Sequence, residues 1–191
     1  MQHLPCEKEI VLLYGDTGNA TLTRAALWDA VRLAAEHRAV WVLDGANSFD
    51  AYFAARVARS LECAPEALLA RIRLSRAFTC YQMSELIARQ TPAPVDAPTV
   101  VFCLGLLETF YDEDIPVADA VRLLKRSLAQ LANLARRGVT IVITARPPRR
   151  ERSARVVLWN LVRASANQAH CIAAPSVDQA RLPMQPRLLA A

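Results

Sequence analysis

The chain has 191 residues, 53% of them hydrophobic and 21% charged, with a formal net charge of +5 and only 5 glycines. It reads as ordinary globular protein with enough apolar material for one well-buried domain, expected over residues 1–174. No apolar run reaches the roughly 18 residues that cross a bilayer, and the start, MQHLPCEKE, has neither a basic nor an apolar signal segment, so the expected location is the cytoplasm, away from membrane.

Taken in chain order, short apolar or β-branched runs alternate with segments of helical period, which predicts βαβ units and a mostly parallel sheet with helices on both faces. The expected strands are 10–14, 40–43, 71–74, 99–104, 139–144 and 170–173. The expected helices are 22–36, 49–61, a short 65–69, 81–89, 117–137 and 155–164. Segment 91–98, TPAPVDAP, reads as a connector because proline supplies no donor and restricts its predecessor. The last stretch, 175–191, with prolines at 175, 183 and 186, reads as an extended or partly disordered tail.

The charge is unevenly distributed. Residues 1–120 carry 10 Lys or Arg against 16 Asp or Glu, whereas residues 121–191 carry 13 against 2. Lys8 and Lys125 are the only lysines. The guanidinium of arginine suits two-pronged phosphate contact, and the densest run is RPPRRERSAR at 146–155, directly after an expected strand. The five cysteines (Cys6, Cys63, Cys80, Cys103, Cys171) are odd in number and lack a CxxC pair, which points to reduced thiols and no metal site. No serine sits in a GxSxG context and no histidine has a paired carboxylate at telling spacing, so no catalytic residue is assigned.

Residues 8–24, KEIVLLYGDTGNATLTR, have the outline of a phosphate-binding loop: an apolar strand, a turn containing Gly15 and Gly18, then a helix start. Such a turn aims backbone N–H groups and the positive helix end at one point. The pattern GxxxxGK followed by Ser or Thr is not met.

Four further stretches follow it: LDGANSFDAYFAARVAR at 43–59, LSRAFTCYQMSELI at 74–87, VVFCLGLLETFYDED at 100–114 and VTIVITARP at 139–147. Together, and in this order, they resemble the ATPase core of the RecA/RadA recombinases, which implies a three-layer RecA-like α/β fold. The resemblance also places departures where the family does its chemistry. Ala20 stands for the glycine before the loop lysine, Thr21 for the lysine and Leu22 for the magnesium-binding hydroxyl residue. Gly105 stands for the Walker B aspartate and Ala46 for the water-activating glutamate. Gly15, Asp16, Thr17, Gly18, Asn19, Ala20 and Thr21 are therefore read as a vestigial phosphate loop, with no cofactor expected beyond weak ATP binding. Carboxylates at Asp44, Glu108, Asp112, Glu113 or Asp114 would be the material for a metal site of another geometry. The DED run reads better as a solvated loop.

The arginines Arg146, Arg149, Arg150, Arg152 and Arg155 fall where the recombinases hold single-stranded DNA, and are the expected nucleic-acid-binding residues. Trp159 would stack on a base or, among Val156, Val157, Leu158, Leu161 and Val162, pack in the core. The resulting expectation is a RecA-like pseudo-ATPase, an accessory protein of DNA repair or recombination that binds DNA, single-stranded above all, or a recombinase-like partner, alone or in an oligomer. Two alternatives stay open: a divergent ATPase completed by a neighbouring subunit, and a protein-interaction module without DNA binding.

Overall fold

The computed structural model describes residues 9–15, 19–89, 99–148 and 154–172. They form β1 (Ile10–Tyr14), α1 (Asn19–Ala35), β2 (Ala39–Asp44), α2 (Ala51–Ser60), α3 (Pro65–Leu69), β3 (Ile72–Arg76), α4 (Cys80–Arg89), β4 (Thr99–Leu104), a single 3₁₀ turn (Glu108–Phe110), α5 (Val117–Arg136), β5 (Thr140–Ala145), α6 (Val156–Ser165) and β6 (Gln168–Cys171). Every expected strand and helix is found, with ends displaced by at most three residues. The connector at 91–98 and the tail at 175–191 lie outside the described residues.

The six strands make one all-parallel sheet in the order β3-β2-β4-β5-β1-β6. The chain moves one way across the sheet from β1 through β2 to β3, then reverses. Because crossovers between parallel strands are right-handed, the reversal sends later helices to the opposite face. Accordingly α1, α2 and α3 pack together on one face, and α4, α5 and α6 on the other. This is the three-layer α/β fold that the sequence implied.

The side-chain period of two divides each strand between the layers. Val11 and Leu13, Val40 and Val42, and Val100, Phe102 and Leu104 join Leu22, Ala26, Leu27 and Ala30 of α1 in one core. Ile10 and Leu12, Val101 and Cys103, and Ile141 and Ile143 join Leu124, Leu128 and Leu131 of α5 in the other. Cys103 is fully buried there, and burial pushes its thiol up to about 12, so it behaves as a small hydrophobe.

Helix ends are closed by local bonds. After α5, Gly138 takes φ +92°, its N–H donates to the Ala135 carbonyl and Val139 N–H donates to Leu134, the doubly bonded left-handed stop. The same stop follows α1 with His37 (φ 63°) and α2 with Glu62 (φ 58°) in the left-handed position, where a side chain is strained. Asp50 starts α2 by accepting from Phe53 N–H at 2.9 Å.

One polar group sits inside the α1 layer. Asp29 is only 2% exposed, and among the described residues its Oδ2 has no hydrogen-bond partner and its ion pair is with Arg32 at 3.8 Å. Burial raises its carboxyl from 3.8 to about 7, outweighing the lowering by Arg32. The folded chain therefore holds this proton more tightly than the unfolded chain. Stability from the protonated form is complete below about pH 4 and is lost as pH rises to about 7, a difference on the order of 4 kcal/mol. Asp29→Asn should be more stable than the parent at pH 8 and should flatten the pH dependence between 4 and 8, measured by urea unfolding.

Candidate functional site

In an open parallel sheet, the carboxyl ends of the strands form the edge where loops converge, most of all where neighbouring strands send their helices to opposite faces. Here that edge is formed by Gly15, Asp44–Ser48, Gly105 and Arg146, which follow β1, β2, β4 and β5.

At the end of β1, Gly15 is buried and residues 16–18 lie outside the described residues. Helix α1 begins at Asn19, so Ala20 and Thr21 belong to its first turn rather than to an open loop. Leu22 turns into the core at 1% exposure. A hydroxyl there would be needed for the metal-binding role; a buried leucine provides only packing.

At the end of β2, Asp44 is fully buried and its carboxylate holds the following turn together. Oδ1 accepts from Ala46 N–H (3.2 Å), and Oδ2 accepts from Ser48 N–H (3.0 Å) and Phe49 N–H (2.9 Å). Arg76, at the end of the adjacent β3, brings its Nε to 3.7 Å of Oδ2. Ser48 then accepts from the Thr23 hydroxyl at 2.8 Å, tying this turn to α1. A charge desolvated this way is stable only with such partners. Its lone pairs are directed at the protein backbone, away from any metal position.

The turn after β4 meets the turn after β2. Gly105 has φ +57° and donates its N–H to the Thr144 hydroxyl at 2.7 Å. A Cβ placed on Gly105 would stand 2.4 Å from Ala46 Cβ. The two positions that the resemblance assigns to the missing acids therefore touch each other, and no side chain fits at Gly105 without displacing Ala46.

Farther along this turn, Glu108 and Arg146 form a two-pronged ion pair, with Nε to Oε1 at 3.1 Å and Nη2 to Oε2 at 2.9 Å, both side chains about three-quarters buried. The Tyr111 hydroxyl donates to the Arg146 carbonyl at 2.9 Å. Burial, reinforced by the Glu108 charge, holds the Tyr111 phenol well above its usual range, so it stays a neutral donor. Arg155 is 7% exposed and gives Nη1 to the Phe110 carbonyl at 2.7 Å and Nη2 to Ile115 at 2.6 Å.

Two of the expected nucleic-acid residues make internal contacts. Arg155 is a buried brace that joins the start of α6 to the β4–α5 connection, and Arg146 pairs with Glu108. Arg149, Arg150 and Arg152 lie outside the described residues, as do Asp16, Thr17 and Gly18. Asp112, Glu113 and Asp114 are exposed in a loop closed by Asp114 N–H to Asp112 Oδ1 at 3.1 Å. No group of three or more metal-ligating side chains occurs among the described residues. Trp159 is half-buried against Tyr14, ring centroids 5.5 Å apart, as its apolar neighbours suggested. No helix among the described residues is long and apolar enough to cross a membrane.

No protein-family model matches the chain, and no curated protein matches it.

Two substitutions test this reading of the edge. Gly105→Asp should destabilise the protein by about 2–4 kcal/mol, from overpacking against Ala46 and a left-handed backbone, and should create no magnesium affinity. Arg155→Leu should cost about 2–4 kcal/mol by stranding two carbonyls, visible as a lower urea midpoint.

Proposed function

We propose that this chain is a RecA-like pseudo-ATPase: a cytoplasmic accessory protein of DNA repair or recombination that binds single-stranded nucleic acid or a recombinase-like partner and does not turn over nucleotide. The observation that carries the reading is the contact between Gly105 and Ala46. Phosphoryl transfer depends on charges fixed around the transferring group, and loss of one such element typically costs on the order of 10²- to 10³-fold.

On this reading the residues present do not fit magnesium and a nucleoside triphosphate. Thr21 offers no cation, Leu22 is buried, Asp44 is occupied by backbone donors, Ala46 carries no acid and a side chain at Gly105 would overlap Ala46. A lysine or arginine supplied by a neighbouring subunit would restore one charge and leave the other losses in place. What the scaffold keeps is a braced strand edge, and the sequence adds the arginines at 149, 150 and 152, which lie outside the described residues.

Calorimetric titration with magnesium and ATP should show binding weaker than about 1 mM and no phosphate release above buffer. Micromolar binding with measurable release would overturn the pseudo-ATPase and favour the divergent enzyme. A gel shift on single-stranded and duplex DNA over a salt series should show single-strand binding that weakens as salt rises.

A further inference from the structure

The first two-thirds of the chain is acidic overall, yet residues 51–81 carry five arginines against two glutamates. This basic island holds three exposed aromatic side chains: Tyr52 at 88%, Phe78 at 67% and Tyr81 at 51%. Large aromatic rings left this open on a folded surface call for a reason, since burial of each would be favourable.

Their placement is specific. Tyr52 lies in the first turn of α2 and Tyr81 in the first turn of α4, with Phe78 just before it, so all three follow the adjacent strands β2 and β3. Their supports are rigid. Asp50 caps α2 through Phe53 N–H at 2.9 Å. At α4, Gln82 N–H donates to the Thr79 hydroxyl at 3.2 Å while the Gln82 side chain accepts from Phe78 N–H at 2.8 Å. Asp44 joins both supports, since it binds the turn leading to α2 and pairs with Arg76 of β3. The rings are thus exposed but held on fixed backbone.

Arginines interleave with them. Arg76, whose side chain is 43% exposed, directly precedes the Ala77–Phe78 turn. Arg56 follows Tyr52 by one helical turn, and Arg73 is exposed on β3 with its guanidinium over the Trp41 ring.

We propose that the start of α4 beside β3 is a stacking surface for single-stranded nucleic acid, with bases on Phe78 and Tyr81 and phosphates on Arg73 and Arg76. Rings on a rigid frame lose little entropy when a base stacks, and every base has a face to offer, which gives sequence-tolerant binding. The guanidinium groups supply the complementary charge. A peptide added as a strand to the open edge of β3 is the competing occupant. Arginine at two of that strand's five positions opposes such pairing. The inference rests on the nucleic-acid branch of the proposed function but moves the contact away from the arginine run at 146–155.

The test is fluorescence anisotropy of a labelled 20-mer of thymidine with the full chain, the same oligomer made abasic, and two variants. Phe78→Ala with Tyr81→Ala should weaken thymidine binding at least tenfold with an unchanged circular dichroism spectrum, since each stacked base is worth roughly 5- to 150-fold. The abasic oligomer, which keeps its phosphates, should bind the parent about as weakly as thymidine binds that variant. Arg73→Ala with Arg76→Ala should lower the salt slope by about 1.4, two phosphate contacts' worth. Equal binding of thymidine and abasic oligomers, or an aromatic variant that binds like the parent, overturns the stacking surface and leaves the proposed function standing. No binding by the parent at low salt overturns both. Displacement of the oligomer from the parent, but not the aromatic variant, by an acidic peptide at lower concentration than by unlabelled thymidine 20-mer assigns the surface to protein.

Discussion

The carboxylate of Asp44 is the constraint on which the strand edge depends. It is a fully buried charge at the end of an interior strand, and its desolvation is offset by the backbone N–H donors of Ala46, Ser48 and Phe49 together with Arg76. Those bonds set the path of the turn that brings Ala46 against Gly105, give Ser48 its position beside Thr23, and fix the approach to α2. A shared carboxylate thus couples α1, β2, β3 and α2 at one point. It organises structure where an acid at the same place in an enzyme would face substrate or metal.

The fold around this edge does not depend on charge at the strand ends. Helical layers and strand order depend on apolar period and on right-handed crossovers, and neither needs a charged group at the strand ends. Once Gly105 and Ala46 lie in contact, the main chain from the two strands comes closer than two acidic side chains would permit. The left-handed Gly105 backbone and its bond to Thr144 then become part of the core's own support.

Much of the fold was legible because its signals are local. The apolar runs at 99–104 and 139–144 announce interior strands, and the pattern Leu123, Leu124, Leu128, Leu131 announces the buried stripe of α5. The helix start at Asn19 was read three residues late, since Asn19, Ala20 and Thr21 precede the first apolar residue of the periodic stripe. The internal partners of Arg146 and Arg155 are hidden for a related reason. Composition reports that Arg146 and Arg155 are basic, but their partners, Glu108 and the carbonyls of Phe110 and Ile115, are some 40 residues away in the chain and fixed only by the sheet. The packing of Ala46 on Gly105 is equally silent, because two small residues separated by a crossover carry no pattern. The exposed rings at 52, 78 and 81 were invisible as well: aromatic residues at helix starts are ordinarily taken into the core.

The strand order also bears on how the chain acquires its structure. β2 pairs with both β3 and β4, so residues 39–104 contain a complete parallel trio. β1 has no partner in that trio; its neighbours are β5 and β6, whose residues come some 130 to 157 positions later. During synthesis β1, apolar nearly throughout, is made well before either partner. Pairing across so long a separation is of the kind that folds slowly and leaves an unpaired strand exposed to aggregation, so the half of the sheet with β2 and β3 can form before the half with β1.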